Sequence, residues 1–277
     1  MGVKNPVIYE IAPDTYAINE FGLAAMYLLV GGDKALLIDT GCGICRLPDV
    51  IKKLTDKPLT VALTHAHLDH CGGIGWFDEV YLNEKDFDRL RGVSVDEIKR
   101  YADIFGKAGG YQVYEYNPED TIGFDKMPEL KSIGDGTVID LGGRSVEVFE
   151  IPGHTKGGIV FVDDKNRIVY SGDACNTNLL ATECSVEETQ EAIEKFKSLS
   201  PRFDQNYNGH VGFMGYPSCL SQPKSVADDL LTICRMLRSG EAEGKEWKFL
   251  WETMTKLTYG KAGLSYNPKW INKEDCR

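Results

Sequence analysis

The sequence predicts an α+β fold with sheets flanked by helices. Short β-branched or aromatic runs fill two separate stretches of the 277-residue chain. Helical sequence follows each stretch, as in layered sheet-and-helix architectures. The residues able to do chemistry fall where strands hand over to loops, which is where such folds build their sites.

PVIYEIAP, DTYAINEF, AAMYLLVGG and KALLIDTG open the chain as successive antiparallel strands, each ending near turn-forming residues. LPDVIKKL reads as a short helix with Pro48 in its first turn. PLTVALTHAH is a buried strand running into a histidine cluster, and EVYLNEKD is a further short strand. Between residues 83 and 136, EKDFDRLRG and SVDEIKRYADIFG are helical, the second with Ser94 as N-cap and Glu97 in capping-box position. GGYQVYEYNPEDTIGFDKMPEL follows as a long aromatic loop, a length that more often serves function than connection.

Strands return at GTVIDLGG, SVEVFEIPG, GIVFVD and RIVYSGDA, with DDKN as the turn between the last two. SVEETQEAIEKFKSL is an amphipathic helix with a Ser185 and Glu188 capping box, and NYNGH is a short strand. From about residue 222 the chain reads as helical, in SVADDLLTICRMLRSG and then EWKFLWETMTKLTYG. No repeat, low-complexity tract or linker demands a cut, so residues 1–277 are expected to form a single domain. The 83–136 insert and the helical C-terminal region from about 222 are expected to cover the site.

Formal net charge is −11, from 31 Lys plus Arg against 42 Asp plus Glu. Such a field repels polyanions, and no basic stripe tracks a phosphate backbone, so nucleic acid is a poor partner. No apolar run approaches the ~20 residues that span a bilayer, and MGVKNPVIYE lacks the pattern of a signal peptide. A cytoplasmic protein acting on a small molecule is expected, with no membrane partner and a homodimer left open. The eight cysteines are spread over a chain too long to need disulfide staples. Cys42 and Cys45 form a CxxC after a strand and before a helix, which raises a redox reading.

THAHLDHCGG gathers His65, His67, Asp69 and His70 in a chain with only five histidines. Extended side chains two apart point the same way, so His65 and His67 can grip one ion together. His154, Asp173 and His210 each follow a strand elsewhere in the chain. Asp39 and Thr64, at strand ends near the cluster, are candidates to hydrogen-bond metal-held histidines from behind. Cys175 flanks Asp173 and is a lesser candidate to tune the site. Tyr27, Tyr207 and Tyr216 are the tyrosines nearest in sequence to the site loops, and so are candidates for contact with substrate.

HAHLDH, GHTKGG, SGDA and the final GH, with LLIDTG upstream, resemble the metallo-β-lactamase superfamily in order and spacing, from about Ala24 to His210. The resemblance implies a four-layer αβ/βα sandwich, with two facing mixed sheets, helices outside and a two-metal site at one edge. It implies that His65, His67 and His154 hold one divalent ion and that Asp69, His70 and His210 hold a second, with Asp173 bridging. Zinc is the first expectation, with iron or manganese as alternatives. The implied chemistry is hydrolysis of a small ester-like bond, a thioester or lactone, by a metal-bridging hydroxide that Asp69 orients. Glyoxalase II-type thioesterases and acyl-homoserine lactonases share this pattern. Phosphodiesterase or β-lactamase-type activity, a di-iron redox protein and a metal-binding sensor stand as alternative readings.

Overall fold

Alternation along the first strands decides which faces of the sheet are covered. The computed structural model describes residues 2, 4–124, 127–181, 183–211, 221–249 and 252–276. Its first sheet has seven strands in sequence order: β1 (Val7–Ala12), β2 (Thr15–Glu20), β3 (Ala24–Val30), β4 (Ala35–Ile38), β5 (Leu59–Ala62), β6 (Glu79–Leu82) and β7 (Glu129–Ser132). The first four are antiparallel, and β4 to β7 run parallel.

Downstream come β8 (Val138–Asp140), β9 (Ser145–Glu150), β10 (Ile159–Asp163), β11 (Ile168–Gly172), β12 (Asn178–Ala181) and β13 (Gln205–Asn208). Five of these form a second sheet in the order β13-β11-β10-β9-β8. Helices cover the outer faces: α1 (Leu47–Lys52), α2 (Leu68–Cys71), α3 (Phe87–Gly92) and α4 (Val95–Ala108) before the second sheet, α5 (Val186–Ser198) and α6 (Val226–Ser239) after it.

The central strands of both sheets are buried on both faces. On β3, Tyr27 and Leu29 face the second sheet, while Met26 and Leu28 pack with Leu47, Ile98 and Phe105 from the helical side. On β10, Ile159 and Phe161 meet the first sheet, and Val160 and Val162 pack against Ile193 and Leu230 of α5 and α6. A one-residue slip of either strand would exchange the two sets, so packing on both sides fixes the register. These layers are the αβ/βα sandwich that the resemblance implied. Arg144 and Asp163 form an ion pair of 2.6 Å between the sheets, at the end of β10 away from the histidines.

Several elements differ from the sequence reading. EWKFLWETMTKLTYG is not a helix but contributes β14 (Lys245–Phe249) and β15 (Glu252–Tyr259), which with β16 (Ala262–Tyr266) and β12 form a third sheet in the order β12-β16-β15-β14. Half-buried Trp247 and Phe249 alternate with exposed Glu246 and Lys248, and Thr253, Thr255 and Thr258 suit extended backbone. Wholly buried β16 pairs parallel to β12 and antiparallel to β15, so tertiary pairing overrides the helix-like composition. The 83–136 segment is not wholly an insert, because it carries β7 of the main sheet. Ser94 makes no side-chain cap for α4, and Glu97 lies instead on the wall of the site cavity. Among the described residues no helix is long and apolar enough to cross a membrane.

Candidate metal centre

Strand β5 ends at Ala62, and the histidines follow in extended loop and in the four-residue α2, for which His67 is the N-cap. Parallel pairing of β4 with β5 sets the ends of these strands side by side. Asp39 leaves β4 with a positive φ of 63°, and its carboxylate accepts the Thr64 N–H at 2.7 Å. The Thr64 hydroxyl donates to Asp39 Oδ2 at 2.9 Å and therefore accepts from His65 Nδ1 at 3.0 Å. His70 Nδ1 donates to Asp39 Oδ2 at 2.9 Å.

Those bonds place a proton on Nδ1 of both rings and turn Nε2 inward. Neither His65 Nε2 nor His70 Nε2 has a hydrogen-bond partner, and both are buried. Asp173 Oδ1 is buried and unpartnered too. Native proteins rarely leave three such atoms together, since each costs about 1–3 kcal/mol. A divalent cation satisfies all three, so the donor set fits a metal.

The other ligand candidates close around the same point. His154 Nδ1 donates to the Leu180 carbonyl at 2.6 Å, and its Nε2 lies 2.7 Å from His67 Nδ1 and 3.5 Å from Asp173 Oδ2. His210 Nε2 lies 3.0 Å from Asp173 Oδ2 and 3.6 Å from Asp69 Oδ2. Donor atoms within 4.8 Å of one another form three groups: His65 with His67 and His154, Asp69 with His70 and His210, and His65 with His70 and Asp173. The structure thus brings together all seven residues singled out in the sequence, with Asp173 beside both histidine sets. Gly209 allows the close approach, because a Cβ there would lie 2.2 Å from His70 Cε1.

Charge follows the same division. Burial, then the neighbouring imidazoles, pushes His65 well below the usual histidine range, and burial with His154 does the same for His67. Burial opposes charge on His70, yet Asp69 and Asp39 outweigh it and lift its pKa to about 10. A metal entering beside His70 therefore displaces a proton. Burial alone would raise the Asp173 carboxyl, but His210, His70 and His154 hold it well below the usual carboxylate range.

A cavity of about 740 Å³ opens over the cluster. Its lining includes the apolar side chains of Leu68, Leu180, Phe249 and Met254 and the carboxamides of Asn176, Asn178, Asn208 and Gln222. Arg89 pairs with Glu183 at its wall. The 83–136 segment and the C-terminal strands both reach this cavity.

The profile of the Metallo-beta-lactamase superfamily matches residues 20–201. The chain belongs to the metallo-beta-lactamase superfamily. Acyl-coenzyme A thioesterase MBLAC2 of Bos taurus is 30% identical over 166 residues, covering 54% of this chain and 57% of that protein. Atrochrysone carboxyl ACP thioesterase of Aspergillus fumigatus is 27% identical over 188 residues, covering 66% of this chain and 49% of that protein. The chain thus spans about half the length of these relatives. A metallo-beta-lactamase family protein from Thermus thermophilus has the same fold, with a TM-score of 0.56 at 21% identity over 83% of this chain and 82% of that one. The sec-alkylsulfatase Pisa1 from Pseudomonas sp. matches at a TM-score of 0.56 and 14% identity, over 85% of this chain and 42% of its own.

Within this superfamily fold, two of the tyrosines chosen by nearness in sequence, Tyr27 and Tyr207, do not line the cavity. Tyr27 and Tyr207 are 1% and 4% exposed and pack with Tyr170 between the sheets. Tyr27 donates to the Asn208 carbonyl at 2.5 Å, so it braces the His210 loop rather than meeting substrate. Tyr216 lies outside the described residues. Cys175 packs in the core behind the second sheet and does not line the cavity.

Two residues that the sequence reading passed over hold the site loops. Asp86 accepts hydrogen bonds from Ala66 N–H at 3.0 Å, Thr155 Oγ1 at 2.8 Å and Gly157 N–H at 2.8 Å, so one buried carboxylate joins the His67 and His154 loops. Its only sequence signal is an acid a few residues past a strand end. Tyr101, on α4, donates to Asp69.

Cys42 and Cys45 are buried and free, and the N–H groups of Cys42, Ile44 and Cys45 converge on the Glu20 carboxylate. Burial, then Glu20, pushes both thiols well above the usual range, which disfavours the reactive thiolate. Alkylation of the native protein followed by peptide mass spectrometry is expected to leave both unmodified. Labelling of either before unfolding would revive the redox reading.

Proposed function

We propose that this chain is a metal-dependent hydrolase of a small ester-like bond, with two divalent ions at the cluster and a thioester as the first substrate class. The observation that carries the reading is the set of buried donor atoms without hydrogen-bond partners on His65, His70 and Asp173, beside an open cavity that Asp173 lines together with His67, Asp69, His154 and His210. The names of the relatives, an acyl-coenzyme A thioesterase and an ACP thioesterase, support the thioester over the lactone. Ions bound there would bring the pKa of a water to about 7 and polarise the substrate oxygen.

His65, His67 and His154 would hold one ion and Asp69, His70 and His210 the other, with Asp173 between them. Zinc suits this imidazole and carboxylate set, and iron or manganese fits the same donors. Asp39 and Thr64 keep the proton on Nδ1 of His70 and His65, which presents Nε2 to the centre. Asp69 orients the attacking water. The apolar lining residues Leu68, Phe249 and Met254 would receive an acyl chain, and the carboxamides of Asn176, Asn178 and Gln222 would meet polar groups of the leaving arm.

Purified protein reloaded with zinc, iron or manganese is expected to hold about two equivalents of metal. Tested on thioester, lactone, phosphodiester and β-lactam substrates, it should turn over a thioester with the highest kcat/KM. Less than one equivalent of metal would overturn the dinuclear reading, and preference for another bond would overturn the substrate class.

A further inference from the structure

Each histidine of the Asp39 and Thr64 network is braced from behind, and Asp69 has a brace of a different origin. Tyr101 comes from α4, in the segment between β6 and β7, and is 5% exposed. Its ring packs on Phe105 with centroids 4.6 Å apart, and it lines the cavity. Its hydroxyl lies 2.9 Å from Asp69 Oδ2 and 3.1 Å from the Leu23 carbonyl oxygen.

A phenol has one proton to give, and an ionised carboxylate is a stronger acceptor than a neutral carbonyl. The oxygen it meets, Oδ2, also faces His210 Nε2 at 3.6 Å and His70 Nε2 at 3.9 Å. Both imidazole nitrogens are thus farther from the carboxylate than the Tyr101 hydroxyl is. A carboxylate oxygen has more than one acceptor direction, so Tyr101 takes one and leaves another toward the histidines. Asp69 stands on a helix of only four residues, so its own element gives it little rigidity.

We propose that Tyr101 is a positioning residue that fixes the Asp69 carboxylate and thereby strengthens metal binding by Asp69, His70 and His210, with no effect on the His65, His67 and His154 set. The proposal rests on the dinuclear reading above. It makes the segment between β6 and β7 part of the metal centre, so that α4 tunes one of two neighbouring ions.

Tyr101→Phe removes the hydroxyl and keeps the ring against Phe105. Chelator-stripped wild-type and variant proteins are titrated with zinc in competition with a chromophoric chelator. Wild type should show two binding steps, and in Tyr101→Phe one step should weaken by about 10-fold or more, the usual effect of losing a hydrogen bond behind a ligand. The other step should stay within about twofold. In an Asp69→Ala background, Tyr101→Phe should cause no further change, because its effect passes through Asp69. Wild type showing a single binding step or none would refute the dinuclear reading itself. Two normal steps in wild type and unchanged steps in Tyr101→Phe would overturn the role of Tyr101, as would a weakening that persists without Asp69.

Discussion

Asp173→Ala is expected to lower kcat/KM by at least about 10³-fold, and chelation of the native protein to do the same reversibly. Asp173 has the largest effect because it touches both halves of the cluster. Its Oδ2 lies 3.0 Å from His210 Nε2 and 3.5 Å from His154 Nε2, and its Oδ1 is buried without a hydrogen-bond partner, 3.9 Å from His70 Nε2. The surrounding imidazoles overcome the effect of burial and keep the carboxyl ionised through the neutral range. Replacing it removes a negative charge and leaves the two histidine sets facing one another without a shared anion. Zinc should restore the chelated wild type but not the variant. The check is steady-state kinetics on the best thioester, with circular dichroism to confirm the fold. A variant retaining more than about a tenth of wild-type kcat/KM would remove Asp173 from the centre.

The second large effect concerns stability and lies at the other end of β10. Asp163→Ala is expected to cost about 3–5 kcal/mol, because it strands a buried guanidinium. Arg144 and Asp163 have side chains 1% and 0% exposed. Arg144 also donates to Thr15 Oγ1 at 2.7 Å, the Asp14 carbonyl at 3.0 Å and the Val30 carbonyl at 3.3 Å. One side chain thus ties β10 of the second sheet to the β1–β2 turn and the end of β3. Urea denaturation should show the loss as a lower midpoint with an unchanged slope. Metal content should be unchanged, since β10 meets the site at its opposite end, where Ile159 N–H donates to the Thr64 carbonyl at 2.9 Å. A cost below about 1 kcal/mol would mean that water or a neighbour satisfies Arg144 once Asp163 is gone.

The histidine cluster was legible because imidazoles at this spacing have few other uses. The strands of the first two sheets, β7 excepted, were legible because their apolar runs are short and end at turns; β7 (ELKS) has a single apolar residue and starts within the stretch read as a loop. The Ser185 capping box also formed as read, with the Ser185 side chain accepting from Glu188 N–H and Glu188 reaching back. EWKFLWETMTKLTYG was not legible, because its mixture of Trp, Met, Leu and Thr is compatible with either period, and pairing with β16 decided the matter. Tyr27 and Tyr207 were misplaced for a related reason. They lie beside site loops in sequence, but strand alternation turns them between the sheets, while Tyr101 arrives from a helix far along the chain.

By itself the sequence determined the donor atoms, their grouping along the chain and the strand ends that carry them, because each depends on local chemistry and local periodicity. Only the tertiary structure decided that Asp86 would join two loops, that Tyr101 would reach Asp69, and that the C-terminal strands would wall the cavity. Those contacts join residues distant along the chain, and their geometry is set by how the sheets and α4 pack, which no local pattern records.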